Sequence, residues 1–430
     1  MEAVGVASPL TQSKRSAFLL GLALMVYLTV TGMCLSLVPV VAGEMEDRFG
    51  LSGSQIGLLT SMFMVTTALG AIPMGLAGVR WGGRTLMASG GIFVAGLVLF
   101  AVASSYPWFI VARLLQGVGA SAGPPAATAL IAQVVDRRYH GWALGVLGCG
   151  QGVGVLLTLL IMPSIQEAAG YRAVFLATAG ITALMVLLTL LRPEMRALPH
   201  TSGAGASFAP LLRSLRGVAL NARLLLLIVI NMGAIGLFVG IVSWTPAFLH
   251  DQRGTSLAMA AYLTAGLGLA QLLGSPAGAT VMARIGKAGV LVGGMVIMLV
   301  ATTLVPFAPG VAGPFVCVVI TGFLTLAMLP ALLGSVPEVV SGPEQVGAAT
   351  GYMYTVNLVS TMLAPWLFGV LLDRYGVGEN DSGYTWGYLL LALFALLGVA
   401  AALIYATTRG RSAAPAAALA QPTGVDCREQ

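Results

Sequence analysis

Arg113 stands inside the apolar stretch 107–135 with Gln116 one helical turn further on, and four more amides, Gln151, Asn231, Gln271 and Asn357, stand inside other apolar stretches. Tyr27, Thr31, Tyr352 and Tyr354 add hydroxyls in similar surroundings. Amides and hydroxyls offer hydrogen-bond recognition of a polar solute, and Arg113 adds a positive charge for an anionic or zwitterionic one. No nucleophile, base and acid cluster together, so no catalytic residue is expected and the chain does not read as an enzyme. Cys34, Cys149 and Cys317 fall in apolar stretches and Cys427 near the end, while His140, His200 and His250 fall in or beside loops. This is not metal-ligand spacing, and neither a metal nor a disulfide is expected. Gly286-Lys287 lacks the preceding glycine spacing and the following Ser or Thr of a phosphate loop, so no ATP and no other cofactor is expected. Any pumping then has to draw on a gradient.

These groups need a scaffold that holds them inside apolar surroundings. The chain has 430 residues, 58% hydrophobic and 8% charged, with a mean hydropathy of +0.94. Soluble domains carry about a quarter charged residues, so the lipid bilayer is the expected solvent. Twelve apolar runs, 17–41, 53–78, 85–104, 107–135, 141–165, 172–191, 222–249, 256–282, 288–309, 312–336, 346–372 and 385–407, are each long enough as a helix to cross about 30 Å of hydrocarbon. The first is too long for the core of a cleavable signal peptide.

The basic residues orient the spans. With the N-terminus inside, most of the 21 Lys and Arg face the cytoplasm, and Arg48, Arg172, Arg253 and Arg374 lie outside. The expected location is the cell (inner) membrane, with both termini cytoplasmic. Basic residues spread over many short loops report topology and not nucleic-acid binding.

The stretch 192–221, rich in Pro, Gly, Ser and Arg, reads as a cytoplasmic linker. It divides a tail at 1–16 and a six-helix half at 17–191 from a second half at 222–407 and a tail at 408–430. The halves repeat at an offset of 204 to 207: Pro39 with Pro246, Arg80-x-Gly82 with Arg284-x-Gly286, Pro125 with Pro330, Gly141-xxx-Gly145 with Gly347-xxx-Gly351, and Gly170 with Gly376. The fold class is therefore all-α, a multi-pass membrane protein of twelve transmembrane helices in two pseudo-symmetric halves. Within it, Gly141, Gly145, Gly148 and Gly152 share one face of the fifth helix, a stripe that lets a neighbour approach closely.

"GLAGVRWGGR" resembles the loop between helices 2 and 3 of the major facilitator superfamily, with Gly75, Arg80, Gly82 and Arg84 matching and Val79 in place of the acid. "RLLQGVGA" from Arg113 resembles that family's helix 4 motif, whereas "GVLGCGQGVG" has the glycines of its antiporter motif without the closing Gly-Pro pair. The resemblance implies alternating access about a central cavity, with the amide-bearing helices facing or flanking it. It also implies that the loop-2 motif contacts the start of helix 11 and helps close the cytoplasmic side. There "SGPE" offers Ser341 as N-cap and Glu344 three residues on, a capping box that supplies the missing acid. Arg80 or Arg84 is expected to pair with Glu344 or Glu338 when the inside is shut.

The function expected is secondary transport of a small organic solute, an anionic or zwitterionic metabolite, contacted by Arg113, Gln116, Gln151, Asn231, Gln271, Asn357, Tyr27 and Thr31. All fifteen acids fall in loops, termini or the ends of spans. A coupling ion, H+ or Na+, would thus find no mid-membrane carboxylate. The alternatives are a multidrug or metabolite efflux antiporter and, in another class, a non-transporting sensor or scaffold.

Overall fold

The computed structural model describes residues 14–81, 83–123, 127, 131, 135–136, 139, 143, 146–190, 219–340, 343–378 and 381–419. The linker expected at 192–221 lies outside them except for its last three residues. The first four helices are α1 (Lys14–Phe49), α2 (Gly53–Trp81), α3 (Gly83–Val102) and α4 (Tyr106–Ala120). The helix Gly150–Leu190 bends at Gly170, and its two arms are α5 and α6. After α7 (Ala222–Arg253), the helix Leu257–Leu304 bends at Gly286 into α8 and α9. The rest are α10 (Ala312–Ala327, continued as Leu329–Val339), α11 (Pro343–Tyr375) and α12 (Gly383–Leu419).

Nine helical segments among the described residues are long and apolar enough to cross a membrane, and two of these run for 43 and 48 residues. At 1.5 Å per residue those two reach roughly 65 and 72 Å, twice a bilayer core, so each has to turn back. Gly170 (φ 72°) and Gly286 (φ 74°) make the turns in the left-handed region, between the spans expected on either side of them. Gly170 has a repeat partner in Gly376 (φ 78°), 206 residues on, and Gly50 (φ 63°) has one in Gly254 (φ 65°), 204 residues on. At Gly254 the reason is explicit: it ends α7, with its N–H on His250 O and that of Thr255 on Leu249 O. Two pairs of left-handed glycines at offsets within the range of the sequence repeat make the duplication a feature of backbone as well as of sequence.

Close approach of backbones sets the packing, because lipid tails give apolar helix faces no preference for one another. A Cβ on Gly154 would stand 2.0 Å from Thr29 O, and one on Gly150 2.6 Å from Met25 O, so α5 lies directly on α1. On its other side a Cβ on Gly152 would stand 3.2 Å from Gly268 O of α8. The glycines that bring helices together are therefore Gly150, Gly152 and Gly154. Of the stripe expected from spacing, Gly152 takes part, Gly148 has nothing within 4 Å, and Gly141 and Gly145 lie outside the described residues. In the second half Gly274 and Gly278 seat α8 on α10 in the same manner. The halves meet where α2 crosses α11, α5 crosses α8, and α1 lies beside α7.

Candidate functional site

Arg113 projects from α4 into the first half and is fully buried. Its Nε donates to Leu59 O of α2 at 2.9 Å, and Nη1 donates to Cys34 O of α1 at 3.2 Å, to Cys34 Sγ at 3.0 Å and to Gln116 Oε1 at 2.8 Å. The guanidinium carbon lies 4.7 Å from the Phe63 ring centroid, a cation–π contact. Gln116 completes the set: Nε2 donates to Gly96 O of α3 at 3.0 Å, and Oε1 also accepts from the Cys34 thiol at 3.1 Å. One guanidinium and one amide thus tie α1, α2, α3 and α4 together. Nη2 alone has no partner among the described residues.

The other expected groups divide by what they already bond. Thr31 Oγ1 donates to Tyr27 O of its own helix at 2.9 Å, a back-bond that leaves it little to offer a ligand. Tyr27, Asn231, Gln271 and Asn357 are buried and Gln151 half-buried. Among these, Tyr27 Oη, Gln271 Oε1 and both Asn357 Oδ1 and Nδ2 have no hydrogen-bond partner among the described residues. An unpaired buried polar group costs about 1–3 kcal/mol, so three such side chains on α1, α8 and α11 are a burden that packing alone does not explain. They come from both halves.

The described members of the set expected to gate lie at the end of the bundle where α6 stops at Leu190 and α7 starts at Ala222, here the linker end. Gly75 and Arg80 belong to α2, Arg84 is exposed on the first turn of α3, and Glu344 belongs to the first turn of α11. The side chains of Arg80 and Glu344, and all of Gly82 and Ser341, lie outside what the structure describes. Glu338 of α10 pairs through Oε1 with Lys287 Nζ at 2.7 Å, and Lys287 also donates to Gly334 O. Lys287 follows the Arg284-x-Gly286 repeat of the loop-2 motif, so a basic residue of the second copy holds α9 to α10.

At the far end the α2–α11 crossing is tight. A Cβ on Gly57 would meet Pro365 O at 2.2 Å, one on Gly369 would meet Gly53 O at 2.2 Å, and Ser61 Oγ donates to Met362 O at 2.7 Å. Asp373, in the last turn of α11, accepts from Gly53 N at 2.7 Å and from Ser54 N at 3.0 Å. At the α5–α8 crossing the Ser164 and Tyr262 hydroxyls bond at 2.7 Å. Sequence reasoning missed Asp373 and Cys34. A signal for Asp373 was present, since a carboxylate in the last turn of a helix opposes the helix dipole and needs another reason to be there. Cys34 had none.

Polar side chains buried mid-helix, in two sets of helices that meet along three helix pairs, fit the architecture on which secondary transporters are built. The chain belongs to the Major Facilitator Superfamily, which matches it over residues 19–311 and 251–426. It is 27% identical over 248 residues to the 3-(3-hydroxy-phenyl)propionate transporter of Escherichia coli K12, covering 57% of this chain and 60% of that one. The chain thus spans about three-fifths of that relative's length. It is 25% identical over 361 residues to a protein of Cupriavidus necator named "Probable sulfoacetate transporter SauU", covering 79% of this chain and 83% of that one. A bacterial homolog of the human lysosomal transporter Spinster, solved inward-facing and unoccupied, shares the fold with a TM-score of 0.73 at 18% identity, over 93% of this chain and 98% of that one.

Proposed function

We propose that this protein moves a small organic acid across the inner membrane by alternating access, and that Tyr27, Gln271 and Asn357 are its principal substrate contacts, with Asn231 and Gln151 beside them. The carrying observation is the Asn357 amide, which has no partner among the described residues, matched by atoms on Tyr27 and Gln271 that likewise have none. A solute with several acceptors and donors would satisfy groups from both halves at once, which couples binding to the rocking of one half on the other. The names of the two relatives, an aromatic propionate transporter and a sulfoacetate transporter, support an organic acid. Arg113 and Gln116 act on this reading as the brace of the first half. The halves are 17–191 and 222–407, joined by 192–221, and the basic residues favour a cytoplasmic linker end and cytoplasmic termini. Transport draws on a solute or ion gradient, with H+ or Na+ as the coupling ion if one is used.

Thermal unfolding of the purified protein with 3-(3-hydroxyphenyl)propionate or sulfoacetate tests the assignment. A ligand at 100 times its dissociation constant adds about 2.7 kcal/mol of stability. Stabilisation by either acid that is lost in Asn357→Ala supports the site. Stabilisation that persists in Asn357→Ala, Gln271→Ala and Tyr27→Phe would remove these residues from it.

A further inference from the structure

The start of α2 has its amides fully accounted for, and half of the accounting comes from the other half of the molecule. An α-helix begins with N–H groups that have no partner within it. Here Ser52 and Gln55 form a reciprocal box, Ser52 N to Gln55 Oε1 at 3.0 Å and Gln55 N to Ser52 Oγ at 3.4 Å. The two amides between them, of Gly53 and Ser54, are taken by the two carboxylate oxygens of Asp373. The acid sits at the C-terminal end of α11, where the helix dipole disfavours it, and faces the N-terminal end of α2, where the dipole favours it. The arrangement therefore stabilises the two helices only when they are together.

We infer that Asp373 is a latch for the far end of the transporter: it holds α2 of one half against α11 of the other and is released when that end opens. The glycine contacts support this. Gly53, Gly57 and Gly369 let the backbones touch, so once the seam parts by a few ångströms both amide bonds are lost together. The α5–α8 seam, its counterpart by duplication, is closed by the hydroxyl pair Ser164–Tyr262 instead, and Glu167, 206 residues before Asp373, is exposed. The carboxylate latch is thus one-sided. Its loss should move the ratio of far-end-closed to far-end-open protein about fivefold toward open, the scale of one lost helix cap.

The inference rests on the alternating-access reading, and hydrogen–deuterium exchange on the full-length protein in nanodiscs tests it without substrate. In Asp373→Ala, exchange should rise across 50–61 and 362–375 and fall across the linker-end turns 71–81 and 343–350, because opening one end closes the other. Asp373→Asn, which keeps an acceptor oxygen and serves if the alanine variant fails to fold, should show the same pattern at reduced size. Unchanged exchange at 50–61, or a rise at both ends as from simple loosening, would overturn the latch. Because no substrate is present, that result is separate from any failure to find the transported acid.

Discussion

Replacing Arg113 separates a brace from a substrate contact, because the two roles rank the variants differently. Arg113→Ala removes bonds to Leu59 O, Cys34 O, Gln116 Oε1 and, more weakly, Cys34 Sγ. Leu59 O and Cys34 O lie within helices and Gln116 Oε1 keeps the Cys34 thiol, so each of the three bonds to oxygen falls near a net value of about 1 kcal/mol, about 3 in all. The Phe63 cation–π contact adds about 2 kcal/mol in a desolvated site. Against this, burying a cation in a membrane helix costs roughly 2.5 to 3.5 kcal/mol, which the variant no longer bears. The remainder is about 2 kcal/mol, to which an unfilled cavity adds. Arg113→Met fills most of that volume without a charge and should sit within about 1 kcal/mol of the parent. Arg113→Lys keeps the cost of the charge and lacks the planar fork that reaches acceptors on α1, α2 and α4 at once, so it should be about as unstable as the alanine variant. Thermal unfolding in detergent reads the order, and uptake by vesicles of equal protein content reads transport. The brace predicts methionine above lysine in both. Lysine retaining uptake while methionine abolishes it, with unfolding temperatures unchanged, would rule out the brace and return Arg113 to the substrate.

The Arg84→Glu and Glu344→Arg variants should each lose transport and recover part of it when combined, and an absence of rescue in every Arg80 or Arg84 combination with Glu338 or Glu344 would sink the linker-end pairing. Gly154→Leu should destabilise the α1–α5 contact by about 1–3 kcal/mol, as overpacking does, while Gly148→Ala, with open space beside it, should unfold at the parent temperature. Glu338→Gln should shift the balance between the two open states without removing ion coupling, and a proton-to-substrate stoichiometry that vanishes in this variant alone would make Glu338 the coupling site.

The membrane-embedded helices were legible because the bilayer imposes a length and a polarity that composition records directly. The bends at Gly170 and Gly286 fell between expected spans for the same reason. Which glycines touch a neighbour was not legible: Gly148 and Gly152 share a helical face, yet only Gly152 meets another backbone, since that depends on where α8 lies. Arg113 with Gln116 could be picked out as costly groups needing partners, but Cys34, 79 positions away from Arg113, is joined to them only by the fold. Asp373 illustrates a third case. Its conflict with its own helix dipole can be read from the sequence, whereas the helix start that resolves the conflict is 320 residues distant.

Counterflow in proteoliposomes reads carrier-mediated movement of an organic acid without any need to know the driving gradient. Vesicles loaded with unlabelled 3-(3-hydroxyphenyl)propionate, or in parallel with sulfoacetate, are diluted into a trace of the labelled acid. Saturable accumulation of label above equilibrium is expected for at least one acid, abolished in Asn357→Ala that still inserts. Entry of both labels no faster than in protein-free vesicles, while a partner protein co-purifies in stoichiometric amount, would contradict transport of this class and favour a scaffold.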